Sequence, residues 1–289
     1  MIYVICGPTG SGKTSVSELL ANKLDAPIVN ADAYQVYKDM NIGTDKISKD
    51  DPIYSRYSLL DILSPEETFS VMQYQKLFRE KIEELSKTHK DIIVCGGTGL
   101  YIRASLFDYT FEEQESDDVS DLEDKTNEEL YEILQKIDPK ALETIHLNNK
   151  KRLIRAISIA RTTDKTKSEI IDSQEHKIIY DNVRILMLSP DRELLYNKIN
   201  KRVDEMFEKG LLDEINYLLK TYNLSKTARA AIGYKEIIDC LETNGNLEDA
   251  KELIKKKTRN YAKRQVTYFK HQLPCEIYTS KEELLEAIK

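Results

Sequence analysis

A chain of 289 residues with 40% apolar side chains can bury a substantial core, which excludes a wholly disordered or collagen-like protein. Its net charge of -7 excludes nucleic-acid binding through bulk charge, so such a partner would have to be met by local patches. Cys6, Cys95, Cys240 and Cys275 form no CxxC pair, the start is too short and uncharged for a secretion signal, and no apolar run approaches the roughly 18 residues of a membrane span; reduced thiols and a cytoplasmic enzyme are expected.

Residues 2–6 form an apolar strand pattern, a glycine-rich turn follows, and residues 13–24 have helical spacing. A second strand is predicted over 26–30. Apolar residues at Val71, Tyr74, Leu77, Phe78, Ile82 and Leu85 predict a helix within 69–88. Residues 91–95 form another strand, closed by Gly96-Gly97. Strands alternating with helices imply an α/β protein with a parallel sheet flanked by helices. The pattern then changes. Residues 112–124 hold eight acidic side chains and no basic one, the composition of a solvated loop or linker. Helical spacing resumes at Leu130, Ile133, Leu134 and Ile137, and again from Lys150. Residues 183–188 read as a return to the sheet, and helical patterns run from there almost to the end. The expected organisation is a core from 1–107 and 181–289 with a helical insertion at 108–180.

Gly7-Pro8-Thr9-Gly10-Ser11-Gly12-Lys13-Thr14 fits G-x-x-x-x-G-K-[ST] between a strand and a helix, which makes the core P-loop NTPase-like. The glycines let backbone amides curl around a phosphate, the helix N-terminus adds partial positive charge, Lys13 reaches phosphate oxygens and the Thr14 hydroxyl can hold Mg²⁺. The loop specifies phosphate or pyrophosphate, not a reaction. The strand at 91–95 ends in Gly-Gly-Thr rather than in the aspartate with which an ATPase holds its metal. That tilts the reading away from a motor or GTPase and leaves a small-molecule kinase open. After the second strand, Asp32 is expected at the carboxyl edge of the sheet, as a general base or as the cap of a following helix.

Asp32-Ala33-Tyr34-Gln35-Val36-Tyr37, followed by Met40-Asn41-Ile42-Gly43-Thr44, resembles the tRNA dimethylallyltransferase family. Gly96-Gly97-Thr98-Gly99-Leu100-Tyr101-Ile102, the basic segment from Lys151 to Ala156, and Arg202-x-x-x-Met206-x-x-x-Gly210 are similar to further family segments, as are residues 231–236 and 258–269. Three features depart from the family's pattern: Ala33 stands where serine is usual, residues 56–61 lack the His pair often found there, and the insertion is short and acidic.

The resemblance implies transfer of a dimethylallyl group from its pyrophosphate to the exocyclic amine of the adenosine 3′ of the anticodon, with Asp32, Thr98 and Arg202 at the reacting groups. The loop from Gly7 to Thr14 would hold the pyrophosphate with Mg²⁺. An adenine amine is a poor nucleophile because its lone pair is delocalised, so a carboxylate that accepts its proton suits the reaction. The base must leave its stack, and Asp32, Ala33, Tyr34 and Gln35 are expected to hold it, Gln35 by its amide. Between Lys251 and His271 there are eight Lys or Arg residues and one acidic residue, interleaved with Tyr261, Tyr268 and Phe269. A second basic cluster runs from Lys150 to Lys167. Such patches fit contact with an RNA backbone. The tRNA-binding set expected is Lys151, Arg152, Arg155 and Thr98, with Gly233, Tyr234, Lys235, Lys263, Arg264 and Gln265, in a monomer whose insertion contacts tRNA. A kinase, a prenyltransferase acting on free AMP and a nucleotide-regulated RNA-binding protein are the alternatives.

Overall fold

The computed structural model describes residues 1–111 and 119–288. Most of the acidic run, positions 112–118, therefore lies outside the described residues. Val4, Ile5 and Cys6 are buried in succession, as are Ile92 to Cys95, the mark of parallel strands covered on both faces. The strands are β1 (Ile2–Cys6), β2 (Ile28–Asn30), β3 (Tyr57–Ser58), β4 (Ile92–Gly96), β5 (Val183–Leu188) and β6 (Glu276–Tyr278). They form one parallel sheet in the order β3-β2-β4-β1-β5-β6.

Helices α1 (Lys13–Leu24), α2 (Val71–Ser86) and α3 (Gly99–Leu106) follow the first strands. The next group is α4 (Ser120–Glu123), α5 (Asn127–Ile137), α6 (Lys150–Thr162) and α7 (Lys167–Asp172). After β5 come α8 (Arg192–Glu208), α9 (Leu211–Thr221), α10 (Lys226–Arg229), α11 (Tyr234–Glu242), α12 (Leu247–Gln272) and α13 (Lys281–Glu286). Among the described residues, no helix is long and apolar enough to cross a membrane. The strand expected at 26–30 narrows to β2, since Pro27 has no N–H for a ladder. Strands β3 and β6 fall where no strand pattern was read.

The chain divides into two units, one of residues 1–106 with those from 180 onward, the other of residues 107–179. In the first, Ile5, Ile28, Ile93 and Leu186 meet Val16 and Leu20 of α1 in one apolar cluster. The second has its own core, in which Leu130 and Leu134 of α5 pack with Leu153, Ala156 and Ile157 of α6. Thr126 and Thr166 start α5 and α7 with reciprocal capping boxes to Glu129 and Glu169. The buried Asp138 carboxylate accepts from the N–H groups of Ala141 and Ser168, at 3.2 and 3.0 Å.

The carboxyl edge of the sheet depends on one glycine. A Cβ on Gly96 would lie 2.1 Å from the Ala31 carbonyl oxygen, so only glycine lets the turn after β2 lie against the end of β4. Gly96→Ala is expected to cost about 3 kcal/mol or more, because backbone rather than a flexible side chain would have to move. A fall in the urea midpoint of unfolding measures it, and an unchanged midpoint would show that the two turns need no such approach.

Candidate active site

The loop from Gly7 to Thr14 joins β1 to α1 at the carboxyl edge of the sheet. Gly12, at φ +94°, stands at the N-cap of α1 and gives it no side-chain cap. The first N–H groups of α1 are therefore open to an anion. Ser11 is buried, and its hydroxyl has no hydrogen-bond partner among the described residues. An orphaned buried hydroxyl inside a phosphate-type loop fits an anion that completes its bonding. The Lys13 ammonium lies 3.5 Å from the Pro8 carbonyl oxygen. Burial pushes its pKa below the usual lysine value, partly offset by Cys95 and Asp32 nearby. A desolvated ammonium of this kind gains from an incoming phosphate oxygen.

Beside the loop, the Asp32 turn is fixed by short-range polar contacts. Asn30 accepts the Asp32 N–H at 3.2 Å and donates to the Leu59 carbonyl at 3.0 Å. One oxygen of Asp32 accepts the Tyr34 N–H at 3.0 Å, which shapes the turn without using the other oxygen. Thr98 braces this turn from β4. Its hydroxyl accepts the Ala33 N–H at 3.0 Å, and its own N–H reaches the Ala31 carbonyl at 3.2 Å.

Asp32, Thr9 and Arg202 line one cavity of about 270 Å³. Ile199, Val203 and Met206 of α8, with Ala231 and Ile254, give it an apolar wall. Arg202 lies on the same helix and donates to the Thr9 hydroxyl at 3.0 Å, while its guanidinium meets the Asp45 carboxylate at 3.2 Å. Tyr261 and Arg264 of α12 line it too, with the Arg264 guanidinium 5.7 Å above the Tyr261 ring. Burial raises the Tyr261 phenol, keeping it neutral against the nearby Asp32. The cavity thus joins a phosphate cradle and a cation to a carboxylate and a greasy wall.

The other expected residues divide. Gly233 lines the cavity, and Lys235, Lys263 and Arg264 are exposed. Gln35 does not line it. Its amide nitrogen donates to the carbonyls of Thr44 and Asp45, at 3.1 and 3.3 Å, which leaves only its oxygen for a base edge. Two of the expected residues turn inward, and of these Gln265 lines the cavity. Tyr234 is fully buried, so its side chain has no surface for RNA; its hydroxyl instead donates to Glu214 at 2.6 Å. Gln265 is also buried, accepting the Thr9 N–H at 2.9 Å and donating to the Gly97 carbonyl at 2.8 Å. Much of the α12 charge is spent internally. Lys251 and Lys255 both meet Asp204, at 2.9 and 2.8 Å, and Lys257 meets Glu236 at 2.8 Å. In the other unit, Lys151, Arg152 and Arg155 are exposed on α6, while Arg161 pairs with Asp121 of the acidic run at 2.9 Å. The apolar wall on α8 went unread because residues 199, 203 and 206 have the same helical spacing as any core face.

The family model described as IPP transferase matches residues 35–272. A tRNA dimethylallyltransferase of Bacillus licheniformis is 39% identical over 302 residues, spanning 99% of this chain and 96% of that one. Among solved structures, a tRNA delta(2)-isopentenylpyrophosphate transferase of Staphylococcus epidermidis is similar at a TM-score of 0.71 and 35% identity, with 99% and 96% of the two chains covered. A eukaryotic dimethylallyltransferase acting on tRNA is similar at a TM-score of 0.80 and 29% identity, covering 98% of this chain and 75% of that one.

The buried ammonium gives the loop a pH signature. Anion binding favours the charged form of Lys13, whose pKa in the free protein lies below the usual 10.5. Inorganic pyrophosphate should therefore bind with proton uptake, and more weakly as the pH rises through that lowered value. Titration calorimetry in buffers of different ionisation enthalpy reads the uptake. Lys13→Met should remove the Lys13 share of both, leaving only the titration of the pyrophosphate itself; uptake and pH dependence equal to wild type would assign the anion to another group.

Proposed function

The chain belongs to the IPP transferase family, and from that premise we propose that it transfers a dimethylallyl group from dimethylallyl pyrophosphate to the exocyclic amine of the adenosine 3′ of a tRNA anticodon. The observation that carries this reading is one cavity lined by Asp32, Thr9 of the phosphate loop, Arg202 and an apolar wall. A kinase has no use for that wall beside its phosphate loop, whereas a five-carbon hydrophobic tail does.

In the proposed reaction the bond between the allylic carbon and the pyrophosphate oxygen breaks, and a bond between that carbon and the adenine nitrogen forms. The proton of the amine passes to Asp32, whose second oxygen is not used by the turn. Negative charge grows on the leaving pyrophosphate. It is met by the amides at the start of α1, by Lys13, and by Arg202, already tied to the loop through Thr9. The wall of Ile199, Val203 and Met206 keeps water from an allylic centre that it would otherwise hydrolyse. Thr98 acts behind these groups, holding the Asp32 turn through the Ala33 N–H.

Among the described residues no group of three or more His, Cys, Asp or Glu is arranged to hold a metal. That fits a Mg²⁺ bound mainly by substrate phosphate oxygens and water with a single protein oxygen, the habit of this ion at phosphate sites. Thr14 would supply that oxygen, and the ion would supply neutralising charge on the leaving group. For the RNA, Lys263 and Arg264 on α12 and Lys151, Arg152 and Arg155 on α6 are the exposed cations suited to its backbone. The insertion is proposed to contact tRNA, and the enzyme to act as a cytoplasmic monomer.

Labelled dimethylallyl pyrophosphate, incubated with the protein, Mg²⁺ and either unmodified tRNA or AMP, should label tRNA alone. Label on AMP alone would make this a nucleotide prenyltransferase. Asp32→Asn should lower kcat by about 10²- to 10⁴-fold, the range for a lost general base, while tRNA affinity in a filter-binding assay holds. Full activity in that variant would remove Asp32 from the chemistry.

A further inference from the structure

Glu214 of α9 carries an unusual load. Its carboxylate accepts the backbone N–H groups of three successive residues, Asn41 at 3.0 Å, Ile42 at 2.8 Å and Gly43 at 3.3 Å. The Tyr234 hydroxyl donates to the same carboxylate at 2.6 Å. Tyr234 is itself fully buried, and a Cβ on Gly43 would lie 2.4 Å from its ring, so the loop lies directly on the tyrosine. Hydrogen bonds to a charged acceptor are stronger than those between neutral groups. Three of them from the loop, on a carboxylate that Tyr234 braces as a fourth donor, hold this loop far more firmly than apolar packing of a coil segment would.

What the loop carries gives that grip a purpose. Gly43 and Thr44 line the reaction cavity. The carbonyls of Thr44 and Asp45 receive the Gln35 amide, which belongs to the turn that begins at Asp32. The Asp45 carboxylate meets Arg202 at 3.2 Å. The far end of the loop is fixed separately. Lys46 is buried with Asp61 in a 2.6 Å ion pair and also donates to the Asn41 side chain at 3.1 Å. The clamp at 41–43 and the pin at Lys46 leave residues 44 and 45 one course between the acceptor side of the cavity and the cation on its donor side.

We propose that Glu214, braced by Tyr234, is a positioning residue that sets the acceptor wall of the cavity and the aim of Arg202, and so fixes the base against the allylic carbon. This rests on the transfer reaction proposed above. The residue touches neither substrate. It acts through the loop, so its loss should misplace the acceptor while leaving the phosphate loop, built from residues 7–14, intact. A shift of about 1 Å in reacting groups is enough to lower a rate roughly 100-fold.

The test uses the full chain with Glu214→Gln, which keeps the size of the side chain but turns an N–H donor toward backbone N–H groups, and Tyr234→Phe, which removes one of the four bonds. Pyrophosphate-binding stoichiometry counts the folded sites, so a lower content of active protein is not mistaken for a lower rate. Per folded site, Glu214→Gln should lose about 30-fold or more in kcat with tRNA, and Tyr234→Phe about 3- to 10-fold. Pyrophosphate affinity should fall far less than kcat, since the amides of α1 and Lys13 still hold the anion and Arg202 keeps its bond to Thr9, and the KM for tRNA should stay within about 3-fold of wild type. Trypsin should cut faster after Lys46 or Lys49 in Glu214→Gln. An unchanged kcat in Glu214→Gln overturns the proposal, as does a parallel loss of pyrophosphate affinity, which would make the clamp a support of the phosphate loop. If Glu214→Gln does not fold, Tyr234→Phe decides alone, and wild-type kcat there overturns the proposal. Wild-type protein that leaves tRNA unlabelled would instead sink the reaction and this inference with it.

Discussion

Thr9 gives its N–H to the Gln265 amide oxygen, and Gln265 gives its own hydrogen to the Gly97 carbonyl. One buried side chain from α12 thus ties the loop after β1 to the turn after β4. Each bond is worth only about 1 kcal/mol net, but removing Gln265 would strand two buried backbone groups, which costs more. Gln265 accordingly shapes the loop while also lining the cavity beside it. The same tie brings Tyr261 and Arg264, on neighbouring turns of the helix, to the rim of the cavity. The cradle, the Asp32 turn and the cation-bearing helices are arranged around this cross-link between distant parts of the chain.

The charge pattern takes on a different meaning once contacts are known. A run of eight basic residues on one helix suggests a continuous surface for RNA. In the fold, Lys251, Lys255 and Lys257 face acidic partners on other helices. They tie α12 to α8 and α11 through ion pairs that stay partly open to water and are therefore modest in strength. What is left for a polyanion is the smaller set around Lys263 and Arg264. In the proposed reading, RNA contact then depends less on total charge than on where a few exposed cations stand, which is consistent with a protein that is acidic on balance.

Legibility followed sequence distance. The loop from Gly7 to Thr14 is a local signal: glycines, a lysine and a hydroxyl between a strand and a helix. Strands β1 and β5 and helix α1 were read with the bounds the structure gives, because uninterrupted apolar runs and a glycine turn specify them. Strands β3 and β6, of two and three residues at the edges of the sheet, are too short to show any period. The family resemblance, read from segments scattered along the chain, agrees with the match over residues 35–272. Side-chain roles were harder. Tyr234 and Gln265 stand in segments associated with RNA, yet each turns inward, and nothing local marks that. No local pattern marks Glu214, because its three loop partners lie more than 170 residues earlier. In the stretch 56–61, Arg56 pairs with Asp25, and Asp61 with Lys46.

The division of the core into two stretches of chain has a consequence during synthesis. β1 has β4 on one side, made within the first hundred residues, but β5 on the other, made only after the whole of the 107–179 unit. A growing chain leaves the ribosome from its N-terminus, so half of β1 waits, unpaired and apolar, while the intervening unit forms its own core. The wait does not end with β5. The bond that closes the phosphate loop comes from residue 265, so a nascent chain holds the motif long before it holds the site. Premature termination anywhere upstream would leave a recognisable P-loop sequence with an unfinished cradle, and the open edge of the sheet would have to be shielded first at β1 until β5 had emerged and then at β5 until β6 had.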